Sequence, residues 1–399
     1  MKRTKRHVAV LVPSFQYYDR GLLQGIIAFV KQSQLEWSVY LEDDPRVRLP
    51  NFRKWQGDGI ITNSNNQRIL QSIVNMNLPV VGLGGGYVPV EQNIPYAYVG
   101  TNHQHVTQLA FEHLHDLGLR NFAYYGEPDH HLDTWSQERC ETLRHCANEA
   151  GCPCEVLIAQ HNIRLGSLKQ MQKRLIEWLR GLSLPVGLMS SSDRRGYQVQ
   201  EACRLIGARI PEDFAVIGVD NDPILCNLCS PPLTSVELNT HQIGYMGAKT
   251  LDQMMSERCV KDQFISINAR YVVARQSTDM TTIADTDIAN AVRFIRKHAC
   301  DPIYVQDVLM AIPLSRSTLE NRFKKILGRS IHAEIRRIQI KQAKILLAET
   351  DLPLTAVSQR VGINSVQYFT TVMQKEANIT PAKFRSRARA DSAVEDHAL

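Results

Sequence analysis

The chain has 399 residues, 44% of them apolar and 22% charged, with a net charge of +6. That is apolar material for at least two ordinary cores, and no run approaches the ~20 apolar residues that span a membrane, so no membrane partner is expected. Nine cysteines, odd in number and scattered, argue against a disulfide framework and for a reducing, cytoplasmic setting.

The N-terminus is basic and then apolar, but its run VAVLV (8–12) stops at Pro13, below the ~7–15 residues of a signal-peptide core. It reads as a first strand. A helix over 19–33 follows, with Leu22, Leu23, Ile26, Ile27, Phe29 and Val30 at helical spacing. Then come WSVYLE (37–42), GIIT (59–62), a helical stretch near 66–76, PVVGLG (79–84), YAYVG (96–100) and a helix around 103–117. NFAYYG (121–126), the helix 134–150, PVGLMSS (185–191), the helix 194–207 and FAVIGVD (214–220) continue the alternation. Strands separated by helices predict parallel sheets covered on both faces. About nine or ten strands over ~270 residues suit two doubly wound lobes better than one sheet.

In such sheets the carboxyl ends of the strands form the ligand crevice. Polar residues converge there: Tyr18, Asp19 and Arg20 after the first strand, Glu42, Asp43 and Asp44 after the second, and Asp220, Asn221 and Asp222 after the last. Trp135 and Arg139 stand one turn apart on a helix of the second lobe. Carboxylates accept hydroxyl protons and flat rings cover C–H faces, so this set suits a small polyhydroxylated ligand. Taken singly each has an ordinary reading: Asp19 as a helix cap, 42–44 as a solvated turn. Gly82–Gly86 is followed by Tyr87-Val88-Pro89 rather than a helix, so a plain loop is expected, not a phosphate cradle. Cys226-x-x-Cys229 has no second pair at zinc spacing, and packed thiols are the simpler reading. No P-loop, paired metal carboxylates or nucleophile elbow is present; neither a cofactor, a metal site nor a catalytic residue is expected.

A polar stretch, 277–288, reads as a linker between a first domain (1–276) and a helical one (289–389), with a tail at 390–399. All the excess charge lies beyond it: residues 285–399 hold 18 Lys and Arg against 12 Asp and Glu, and the remainder 28 of each. A basic domain beside a neutral one is what phosphate attraction requires.

Within that domain a pattern of turn, helix and basic flank occurs twice, 49 residues apart: Val308 falls on Val357, Ile312 on Val361, Leu319 on Tyr368, Phe323 on Val372, and the cap Ser315 on Asn364. A helix-turn-helix lays its second helix in the major groove of double-stranded DNA. With Leu319, Phe323, Tyr368 and Val372 inward, the groove-facing candidates are Arg316, Ser317, Thr318 and Asn321, then Ser365, Val366, Gln367 and Thr371. Arg suits guanine, and Asn or Gln suits adenine. Lys324, Lys325, Arg329 and Lys375 would meet phosphates, and the helix 331–348 would hold the units about one DNA turn apart.

Residues 288–388 resemble the AraC/XylS-type DNA-binding domain, including the closing Pro381-Ala382-Lys383-Phe384-Arg385. Residues 7–276 look like the periplasmic-binding-protein-like sensor of LacI/GalR regulators. This order resembles the xylose-operon type of transcriptional activator, as do YDR at 18–20, QLEW at 34–37, ED at 42–43, W-x-x-E-R at 135–139 and VIGVDN at 216–221. The resemblance implies a sugar-responsive regulator acting as a homodimer on an operator, with RNA polymerase as partner. It also puts the ligand chemistry on Asp19, Arg20, Arg139, Asp220 and Asn221. D-xylose is the expected effector, with another pentose or a hexose open. A sugar or sugar-phosphate enzyme with a helical oligomerisation tail is the alternative. Two positions depart from the pattern: Pro313 replaces a turn glycine, and Leu238 replaces a ligand-binding Gln.

Overall fold

The alternation in the first two thirds of the chain resolves, in a computed structural model, into two six-stranded sheets. The structure describes residues 5–42, 55–63, 73, 76–85, 95–128, 134–159, 167–257, 263–279, 285–350, 352–377 and 379–392. Two units result, one within 1–280 and one within 281–394.

The first sheet comprises β1 (Arg6–Leu11), β2 (Trp37–Leu41), β3 (Gly59–Asn63), β4 (Val80–Leu83), β5 (Tyr96–Thr101) and β11 (Gln263–Ile267), in the order β11-β5-β4-β3-β1-β2. The second comprises β6 (Asn121–Gly126), β7 (Cys154–Ile158), β8 (Val186–Ser190), β9 (Phe214–Val219), β10 (Thr234–Glu237) and β12 (Tyr271–Val273), in the order β12-β10-β9-β8-β6-β7. All pairs are parallel except β10 with β12. Helices cover both faces, which is why β8 and β9 are buried at every position rather than at alternate ones. Successive residues of β6 serve opposite cores: Phe122 and Tyr124 one, Ala123 and Tyr125 the other.

The chain passes between the lobes three times. β5 leads into α2 (His103–Asp116), which packs on the second sheet; β10 leads into α7 (Thr240–Glu257), which returns to the first; β11 leads into β12. α7 lies against α1 (Tyr17–Gln32) so closely that a Cβ at Gly244 would come 1.9 Å from the Leu22 carbonyl oxygen. Only glycine allows this approach. The remaining helices of this unit are α3 (Thr134–Glu149), α4 (Ser167–Arg180), α5 (Asp193–Leu205) and α6 (Pro223–Leu228). β7, β11 and α4 lie outside the expected elements, although α4 has Met171, Leu175 and Leu179 at helical spacing. Ser277 and Thr278, placed by the sequence in the linker, are buried instead: Ser277 donates to the Val216 carbonyl (2.7 Å) and Thr278 meets Thr234 (2.7 Å).

The second unit contains α8 (Thr286–His298), α9 (Val305–Ala311), α10 (Arg316–Leu327), α11 (Ile331–Glu349), α12 (Leu354–Arg360), α13 (Val366–Ala377) and α14 (Pro381–Ser392). It has two cores. Ile288, Val292, Val308, Leu319, Phe323, Ile331 and Ile335 form one, and Ile340, Ala343, Leu347, Val357, Phe369 and Met373 the other. α11 contributes to both, its first half to one and its second half to the other. At 19 residues and 1.5 Å per residue it is about 28 Å long, close to one turn of B-DNA. Gly362, at φ +73°, turns the chain between α12 and α13, where a Cβ would stand 2.6 Å from the Asp301 carbonyl oxygen.

The 49-residue match holds through α9 and α12 and then slips to 50. α10 starts at Arg316 behind Ser315, whereas α13 starts at Val366 behind Ser365, whose Oγ accepts from the Tyr368 N–H at 3.3 Å. The cap is therefore Ser365, not Asn364, because the second turn is one residue longer. Phe369, fully buried, takes the place of Leu319, and Tyr368, expected inside, is 46% exposed.

Candidate functional site

The first candidate site lies between the lobes at the strand ends. Asp19, in the first turn of α1, is 3% exposed and accepts a hydrogen bond from Asn63 Nδ2 (3.1 Å) at the end of β3. The Tyr18 hydroxyl stands 3.4 Å from Thr101 Oγ1 at the end of β5. Burial raises the Tyr18 pKa; Asp19 and Asp220 add to the rise and Arg139 opposes it. The Asp19, Arg139 and Asp220 charges, from both lobes, therefore all stand within electrostatic reach of the Tyr18 hydroxyl.

Arg139 on α3 is 3% exposed, and its guanidinium lies 4.7 Å from the centre of the Trp135 ring. Nη1 donates to the Ser191 carbonyl (2.5 Å) and Nε to His103 Nδ1 (3.3 Å). A His103 Nδ1 that accepts leaves the proton on Nε2, which donates to the Gly85 carbonyl at 3.2 Å. Burial and then the Arg139 charge push the His103 pKa down to about 3, so the ring is neutral. Arg139 and His103 belong to the second lobe and Gly85 to the first. The arginine that faces the crevice is thus joined to the opposite lobe through one imidazole.

Asp220 and Asn221 follow β9 at φ +108° and +54°, a conformation that costs about 1–3 kcal/mol per residue. Among the described residues no side chain hydrogen-bonds the Asp220 carboxylate. Burial raises its pKa well above the usual range; Asp193 and Asp222 add to this and Arg139 opposes it. Such a carboxylate gains from a ligand that brings hydroxyl donors.

Asp193, absent from the sequence expectations, is fully buried at the start of α5. It accepts from Ser235 Oγ (2.6 Å) and the Asp222 N–H (2.7 Å), yet burial pushes its pKa up to about 7. A carboxylate with a raised folded pKa binds its proton more tightly in the native state, so stability falls as pH rises between about 4 and 7. Calorimetric melts of the protein across pH 5 to 8 are expected to show this fall, and Asp193→Asn to flatten it; an unchanged slope in the variant would refute the assignment.

Not all the expected residues join this cluster. Arg20 follows Asp19 in sequence but lies about 100° further round the helix. It lines a separate cavity of about 200 Å³ with Tyr17, Gln24, Glu237 and Arg270, and its Nη1 donates to the Phe15 carbonyl (2.9 Å). The Asn221 amide is engaged within the protein, accepting from Arg275 Nη2 (2.6 Å) and donating to Glu237. That suits a residue that positions the end of β9. Leu238, at the expected Gln position, is 2% exposed in the core that Tyr18 packs against. Asp43 lies outside the described residues. Cys226 and Cys229 are buried and unbridged, and no group of three or more metal-ligating side chains forms among the described residues.

The second candidate site is the pair of helices α10 and α13. On α10, Leu319, Phe323 and Leu327 are buried, and Arg316, Ser317, Thr318, Asn321 and Lys325 are exposed. Arg316 Nε is paired with Glu320 at 3.0 Å, one turn on, a surface pair that water and salt loosen readily. On α13, Phe369, Val372 and Met373 are buried; Gln367 and Thr371 are exposed, as is the cap Ser365. Lys324 and Lys375 are also exposed, but Arg329 is not available to a phosphate. Its Nε lies 2.6 Å from Glu334, a carboxylate 1% exposed that Arg337 also grips at 2.8 Å.

Three domain families match the chain: an XylR N-terminal domain at residues 7–104, a periplasmic binding protein-like domain at 111–278 and a helix-turn-helix domain at 310–387. The chain is 33% identical to the xylose operon regulatory protein of Escherichia coli (strain K12), over 96% of this chain and 97% of that protein. It is 30% identical to the protein of that name from Haemophilus influenzae, over 95% of this chain and 97% of that one. The solved structure of the xylose-binding transcription activator xylR aligns with a TM-score of 0.63 at 31% identity, covering 97% of this chain and 99% of the other. The transcription regulator CcpA of Lactococcus lactis aligns at 0.55 and 22% identity over 69% of this chain and all of its own, a likeness of fold.

Proposed function

The chain belongs to the family of xylose operon regulatory proteins, and from that premise we propose that D-xylose is its effector, held between the lobes by Tyr18, Asp19, Trp135, Arg139 and Asp220. It is a sugar-responsive DNA-binding regulator of transcription, not an enzyme. The observation that carries the effector reading is the Asp220 carboxylate: half-buried at the end of β9, pushed toward protonation, without a side-chain hydrogen bond among the described residues, and facing the charge of Arg139. Two sugar hydroxyls would supply the missing donors, and the Trp135 ring would cover a C–H face.

In this reading the sugar favours the closed arrangement of the lobes and so changes the geometry of a homodimer. The paired helices of each second unit then dock on an operator beside RNA polymerase, in the cytoplasm. Arg316, Ser317, Thr318, Asn321, Gln367 and Thr371 read bases, and Lys325 meets a phosphate. Ser365, as the cap of α13, contributes through the backbone it holds. Such coupling is typically about 1–3 kcal/mol.

Titration calorimetry of the full chain against a panel of pentoses and hexoses tests the effector. D-xylose is expected to bind most tightly and to raise operator affinity about 10-fold. A hexose that binds more tightly, or DNA affinity indifferent to every sugar in the panel, would refute the reading.

A further inference from the structure

The longer second turn puts a tyrosine where the first unit has Thr318, on the exposed side of the groove helix. Tyr368 is 46% exposed, one residue from Gln367 and one turn before Thr371. It is held there. The Arg336 guanidinium on α11 lies 4.8 Å from the centre of its ring, and Arg336 Nη2 donates to its hydroxyl at 3.2 Å. Arg336 is itself anchored, with Nη1 donating to Gln339 Oε1 at 2.8 Å, and Gln339 in turn donates to the Ala299 carbonyl at 2.8 Å. Arg336 Nε–H has no hydrogen-bond partner.

These contacts fix the direction of the phenol's own proton. Its oxygen already accepts from a cation, so its O–H is left to donate outward. A negatively charged acceptor, presented at the mouth of the groove where α13 would enter, is a DNA phosphate. We propose that Tyr368 is a phosphate-contacting residue of the second unit, aimed by Arg336 acting from the linking helix. A phenol that merely covered α11 would need neither the anchored arginine nor an outward hydroxyl. The inference rests on the DNA-binding reading above and adds a contact that fixes α13 on the duplex without reading sequence.

The test is fluorescence anisotropy of the full chain with a mixed-sequence duplex over a series of salt concentrations. Tyr368→Phe keeps the ring and removes the donor; it is expected to weaken binding about 10-fold at every salt concentration, with the salt slope and melting temperature unchanged. Arg336→Gln is expected to weaken binding and to make the slope of log K against log salt shallower by about one, and Arg336→Lys to restore the slope but not the affinity. Tyr368→Phe binding with parental affinity would overturn the proposal, as would a loss confined to one preferred sequence, which marks a base contact. Parental protein that fails to bind duplex at low salt overturns the DNA reading itself, and this inference with it.

Discussion

Replacing Asp220 with alanine is expected to lower sugar affinity about 100-fold, the loss of two charge-assisted hydrogen bonds at about 1.5–3 kcal/mol each, moderated by water entering the space. The variant is expected to melt no earlier than the parent. Burial and the charges of Asp193 and Asp222 both oppose ionisation at Asp220, so in the empty protein the carboxylate destabilises its surroundings. Asp220→Asn keeps one acceptor and is expected to fall between the two. The raised pKa also sets the sign of the pH dependence: the sugar needs the ionised form, so affinity falls as the solution is acidified, and does so less steeply in the Asn variant. Calorimetry at several pH values reads all three effects. Parental affinity in the alanine variant would remove Asp220 from the site.

The second large effect belongs to Glu334. It is 1% exposed, four residues into α11, where the helix dipole favours a negative charge, and it is gripped by Arg329 and Arg337. Both arginines are about three-quarters covered, so neither can turn fully into water. Glu334→Ala leaves two partly buried cations facing each other and is expected to cost about 3 kcal/mol. In a unit of this size that lowers the melting temperature by about 12–20 °C. Glu334→Gln, which still accepts hydrogen bonds, is expected to lose about half as much. A thermal melt of the full chain followed by helical circular dichroism decides it; a shift below about 2 °C would mean the arginines find other partners.

Much of the architecture is legible from sequence because parallel strands covered on both faces are continuous apolar runs. NFAYYG and FAVIGVD needed no tertiary information. β7 and β11 escaped because edge strands are half-exposed and mixed, as CEVLI and QFISI are. The strand-end rule that found Asp19 and Asp220 also applies to Asn102-His103 after β5 and to Ser192-Asp193 after β8. Their burial and their partners, Arg139 for His103 and Ser235 for Asp193, come from distant parts of the chain and leave no mark at the strand ends themselves. The position of Arg20 was available too: at 3.6 residues per turn, residues 17, 20 and 24 share a face that 18, 19 and 22 do not. The slip in the repeat had a different origin. Tyr368 and Phe369 are adjacent aromatics, and a match at 49 or at 50 buries one of them; the sequence gives no reason to prefer Phe369 until the extra turn residue is seen. The engagement of Asn221 with Arg275, 54 positions away, could not be read from either segment alone.

α11 threads both cores of the second unit, so the two groove helices are joined head to tail within one chain rather than mirrored across a twofold axis. They also differ in chemistry, with Arg316 and Asn321 on one and Gln367, Tyr368 and Thr371 on the other. A reader built in this way has polarity. Turned end for end on the duplex, it would set each helix against the other's bases, so a single bound copy distinguishes upstream from downstream. A palindrome carries no such arrow; here the direction is written in the order of two helices along one backbone.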